Sequence, residues 1–148
     1  MTYESVVTEL FERFPKLQST WESEFDYMAG ETKIQYIVFG SLLIPALDMA
    51  LSEGNLGVIL PVCAFLEDVA EAAQTDRKLE NLLNVEVGEW LGWMKNEAQL
   101  APWLGSETKR ICRYVPGLAT QRLMLKADRQ VRSLRERLKT LIARICRR

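Results

Sequence analysis

"IQYIVFGSLLIPALDMAL", residues 34–51, is the stretch on which the fold turns. Its apolar character admits two readings: a membrane span, or the central helix of a packed core. The uncharged run between Lys33 and Asp48 is 14 residues long, short of the ~20 needed to cross a bilayer. A buried helix over 31–53 is therefore expected, ending at Gly54. Pro45 inside it predicts a kink or break near Leu43–Ile44, because proline lacks an N–H and its ring crowds the carbonyl one turn back.

Outward from this helix, apolar residues recur at helical rather than alternating spacing. Val6, Val7, Leu10, Phe11 and Phe14 share a face over 2–14, before Pro15. Leu17, Trp21, Phe25 and Met28 do so over about 16–29. A helix over 57–74 turns Ile59, Cys63, Leu66 and Ala70 inward, with Pro61 placed near its first turn. Thr75 and Asp76 cap a helix over 77–94, whose inward face carries Leu79, Leu82, Leu83, Val87, Trp90 and Met94. Ser106 caps a short helix to Tyr114, "VPG" at 115–117 turns the chain, and a last helix starts near 118. The expected class is all-α: six to seven helices, stacked as antiparallel hairpins because the connections are short. A chain of 148 residues reads as one domain. Within it, residues 1–117 form a helical body and 118–148 a long amphipathic, basic C-terminal helix.

The opening "MTYESVVTELFERF" has neither the basic nor the apolar region of a signal peptide. The three cysteines, Cys63, Cys112 and Cys146, are scattered and odd in number, which favours neither a zinc knuckle nor a disulfide framework. A reducing, cytoplasmic setting is expected.

The chain contains no histidine. That excludes Ser-His-Asp and Cys-His catalysis, histidine zinc sites and imidazole proton shuttles. No cofactor is implied, and no strong catalytic motif is present. Carboxylates offer the one chemical alternative. Glu67, Asp68 and Glu71 share a helix face, as do Glu86 and Glu89 on the next helix. Side by side, they could surround Mg²⁺, a hard ion that takes oxygen ligands. The spacing is similar to that of the all-helical nucleoside triphosphate pyrophosphatases, which carry Glu-Glu-x-x-Glu and then Glu-x-x-Asp. This chain departs from them at Asp68 and Glu89, and it lacks a basic cluster between the helices. The competing reading makes these carboxylates a solvated face.

Trp93 and Trp103 lie at a turn beside Glu86, Glu89 and Glu97. Tryptophans fill cores and also anchor interfaces, and both roles stay open for this pair. As an interface, aromatic rings rimmed by acid suit a basic partner.

Charge is distributed unevenly. Residues 1–105 carry 17 acidic and 6 basic side chains; residues 106–148 carry 3 and 13. Within the basic part, Met124, Ala127, Val131, Leu134, Leu138, Leu141 and Ile145 repeat every three or four residues, an a/d heptad seam. The seam Val131, Leu134, Leu138, Leu141 and Ile145 is expected to dock on the body, with its arginines facing acid. Self-association through the seam is the second reading and would give a homo-oligomer. Membrane-surface binding lacks Trp or Phe anchors on the seam. Nucleic-acid binding lacks a motif and aromatic interleaving.

Over about 40–115 the chain resembles a group of small all-helical bacterial proteins found among toxin-immunity genes. The likeness rests on Phe65-Leu66-Glu67, on Asp76, on Asn81-Leu82-Leu83 with Val85, on Glu89-Trp90-Leu91, and on Leu104-Gly105 through Lys109. It implies a non-catalytic protein that binds and neutralises a cognate toxin domain. The partner surface expected here comprises Glu86, Glu89, Trp93, Glu97 and Trp103, meeting a basic toxin domain.

Overall fold

The computed structural model describes residues 1–28 and 34–145, excepting the side chains at 26, 135 and 138–145. Among the described residues the fold is all-α, with eight helices and no strand. They are α1 (Val6–Arg13), α2 (Pro15–Glu24), α3 (Ile34–Glu53), α4 (Leu56–Ala73), α5 (77–91), α6 (Glu97–Leu100), α7 (Ser106–Ile111) and α8 (Leu118–Ile145). The helix beyond the expected count is α6, a single turn in a segment that reads as a connection.

α3 is the centre. It is 20 residues long and apolar enough to span a membrane by length and composition, yet Phe39, Leu43, Leu47 and Leu51 are fully buried by the protein itself. They pack with Ile59, Phe65 and Leu66 of α4 and with Leu79, Leu82 and Leu83 of α5. Each such side chain stabilises the fold by about 1.5–3 kcal/mol. Phe65 is a hub. Phe14 meets it edge-on at 5.9 Å between ring centres, Phe39 lies at 6.3 Å, and the Arg13 guanidinium caps its face at 5.3 Å.

Pro45 does not break α3. The helix widens into a π turn over Phe39–Leu43 immediately before it, and the Ile44 N–H donates to the Phe39 carbonyl five residues back. The extra residue makes room for the proline ring at the place where the sequence predicts a break. Pro61 lies inside α4 rather than in its first turn, because that helix starts at Leu56. α5 holds a second π segment, Leu83–Gly88, and the two widened segments pack against each other. Gly40 lies at this contact, where a Cβ would displace the Glu86 carboxylate.

Two N-terminal anchors close the body. Asp76 caps α5 by accepting the N–H groups of Lys78 at 2.9 Å and Leu79 at 3.3 Å, and its other oxygen accepts the Tyr3 N–H at 2.9 Å. Ser106 does not cap α7 but is its first helical residue, and the capping position falls on Gly105, which offers no side chain. The free N–H groups of α7 are taken by Glu67, reaching across from α4.

α8 is 28 residues long, about 42 Å at 1.5 Å per residue. Ala119 is buried and Arg122 and Leu123 are half-buried, but beyond them the helix leaves the body. Val131 is 47% exposed and Leu134 57%. The expected docking of the seam on the body is therefore wrong for these two residues. Every residue of α8 from Met124 to Leu134 is exposed, so no core lies against these two side chains. Leu138, Leu141 and Ile145 lie outside the described side chains.

Candidate functional site

The carboxylates expected around a metal are dispersed. Glu67 is committed to α7. It accepts the Glu107 N–H at 2.9 Å, and its other oxygen accepts the Thr108 N–H at 2.9 Å and the Thr108 hydroxyl at 2.8 Å. Partial burial raises its pKa, but these bonds outweigh burial and hold it below the usual value. Asp68 pairs with Arg13, and Glu71 is exposed. Glu86 faces Gly40, where burial and then the neighbouring Glu89 push its pKa up. Among the described residues no three potential ligands gather into a metal-holding group. The site Glu67, Asp68, Glu71, Glu86 and Glu89 is not assembled, because its first member spends its lone pairs on a helix terminus.

Cysteine chemistry is also disfavoured at the two described cysteines. Cys63 and Cys112 are buried, and burial pushes their thiols up to about 11 and about 12. A nucleophilic thiol needs the opposite shift.

The expected partner surface is partly rearranged. Glu97 is only 8% exposed and has an internal task, which removes it from any surface. One of its oxygens accepts the Tyr114 hydroxyl at 2.7 Å and the Gly117 N–H at 2.6 Å, tying α6 to the turn before α8. Burial, and then that bond to Glu97, push the Tyr114 hydroxyl up to about 12. Glu89, Trp93 and Trp103 are exposed, with Trp93 at 51% and Trp103 at 43%.

Trp93 follows the end of α5 and forms one wall of a groove of about 550 Å³. The outer face of α3 lines it too, with Pro45, Asp48, Met49 and Ser52, as do Trp90, Met94 and Lys95. Met49 is 60% exposed. The indole N–H of Trp90 is buried there without an acceptor among the described residues. Sequence reasoning overlooked the α3 wall, although a signal existed. Residues 45, 48, 49 and 52 lie on one helix face, opposite the buried Leu43, Leu47 and Leu51, and a methionine on an otherwise polar face has no core to fill.

The C-terminal helix meets this groove through Trp93. The Arg122 guanidinium lies 5.2 Å above the Trp93 ring, and its Nη1 reaches the Gly92 carbonyl at 3.4 Å. Such a stacked cation contributes about 0.5–1 kcal/mol at an exposed site, which biases the orientation of Trp93. No protein-family model matches the chain, and neither a curated protein nor a solved structure is significantly similar to it.

Proposed function

We propose that this chain is a non-catalytic, cytoplasmic binding protein of the immunity type, which neutralises a basic toxin domain by covering it with the groove at Trp93. The observation that carries the reading is the pairing of two large exposed side chains, Trp93 and Met49, across one groove. Aromatic and methionine side chains are enriched at interfaces, and a tryptophan whose orientation Arg122 biases loses less freedom on binding. The acidic charge of residues 1–105, and the exposed Glu53 and Glu89 on the two helices that form the walls, favour a basic partner. The stacked antiparallel hairpins expected from short connections suit such a role, since they hold both walls rigidly.

The test is a calorimetric titration with the product of a toxin-like reading frame adjacent to the gene. Trp93→Ala is expected to cost about 2 kcal/mol, roughly thirtyfold in Kd, and binding should weaken as salt rises. Unchanged affinity in both Trp93→Ala and Met49→Ala would rule the groove out.

A further inference from the structure

The exposed seam of α8 needs an occupant, and the charge on the chain selects one. Residues 118–148 hold ten basic and two acidic side chains, whereas residues 1–117 hold eighteen acidic and nine basic. Two α8 helices packed together would set one strongly positive surface against another. The body of the same molecule does not cover this face, since every residue from Met124 to Leu134 is exposed. What remains within the chain is the acidic body of another copy.

We infer that the protein forms a two-fold dimer in which the α8 helix of each copy lies in the Trp93–Met49 groove of the other. Met124, Val131 and Leu134 share one helix face, seven and three residues apart, and all three are exposed. A basic amphipathic helix laid into a methionine-bearing groove on an acidic protein is a recurrent mode of recognition. Arg122, stacked on Trp93, places the root of α8 at the edge of its own groove. Two copies brought together at that edge can therefore exchange helices reciprocally and close the assembly, as a two-fold interface requires. The dimer shares its groove with the binding function proposed above, so a basic partner would have to displace the neighbour's helix.

The test uses the full chain and measures mass by sedimentation velocity. The wild type is expected at twice its 17.0 kDa chain mass, moving toward monomer as salt rises. Leu134→Glu and Met49→Glu should each be monomeric with unchanged circular dichroism, since both positions are exposed. Mixing these two variants should restore a dimer, because one copy supplies an intact helix and the other an intact groove. Asp48→Lys, a charge reversal on the groove wall, serves if Met49→Glu fails to fold. A wild type that stays monomeric overturns the inference, including one that sediments with anionic vesicles instead. So does a dimer that survives both groove variants, which would mean that helix pairs with helix. A dimer that forms as described while the toxin titration shows no binding removes only the immunity function. Toxin binding by a strictly monomeric chain removes only the dimer.

Discussion

The Glu67 carboxylate accepts both the backbone N–H and the hydroxyl of Thr108, at 2.9 and 2.8 Å, across 41 residues of sequence. This bond supplies from α4 the cap that α7 lacks at Gly105. Glu67→Ala leaves buried donors on α7 unsatisfied and should cost about 2–3 kcal/mol, seen as a lower midpoint in thermal or urea unfolding. Glu67→Gln should lose less, since its carbonyl oxygen still accepts.

Gly105 and Glu67 are expected to be coupled. A Cβ at Gly105 would fall on the Glu67 carboxylate, which its hydrogen bonds hold in place. Gly105→Ala should therefore destabilise the wild type by about 1–3 kcal/mol. In the Glu67→Ala background the same change should cost far less, and a double-mutant cycle measures the difference.

Acid should weaken the fold through Asp76. Its pKa is lowered chiefly by the hydrogen bond from the Tyr3 N–H. A depressed carboxylate contributes stability above its unfolded value, and the contribution is lost as pH falls through its folded value. Asp76→Ala should cost about 1 kcal/mol or more at pH 7. The gap from wild type should close below about pH 4, as followed by urea unfolding across pH.

Glu86 should behave in the opposite sense. Burial against the Gly40 turn raises its pKa, so stability falls as pH rises above its unfolded value and the loss is complete once pH exceeds its folded value. Glu86→Gln is expected to raise the melting temperature at pH 7 and to leave it unchanged near pH 3, below the carboxylate range. A lower melting temperature at pH 7 would show that the carboxylate is a net stabiliser there.

Mg²⁺ should leave the melting temperature of the wild type unchanged. Glu67 is engaged by backbone donors, and Asp68 pairs with Arg13. A rise with Mg²⁺ that is abolished in Glu67→Gln would restore the metal-binding alternative.

Most of the helices were legible from spacing alone. Leu43, Leu47 and Leu51 repeat every four residues, and only a helix turns all three toward one core. The cap at Asp76 was legible too, since its bonds to Lys78 and Leu79 are local. The π turn was half legible: Pro45 marks where the ladder must fail, but widening rather than breaking depends on what packs around it.

The candidate site was legible only in part. Trp93 stood out by type, whereas Met49, 44 residues earlier, joins it solely through the packing of α3 beside the end of α5. Glu97 has the composition of a surface acid and the position of a buried acceptor. Its partners Tyr114 and Gly117 lie 17 and 20 residues away.

By itself, then, the sequence determined the all-helical class, the apolar centre at 34–51, the heptad pattern of α8 and the division into an acidic body and a basic helix. Periodicity and charge are properties of neighbours along the chain. The tertiary structure alone decided that Glu67 caps a distant helix and that Glu97 is a buried acceptor, and that Val131 and Leu134 stand in solvent rather than on the core. The physical reason is the same in each case: a hydrogen bond or an apolar contact is satisfied by whatever lies within a few ångströms in space, and separation along the chain does not encode that.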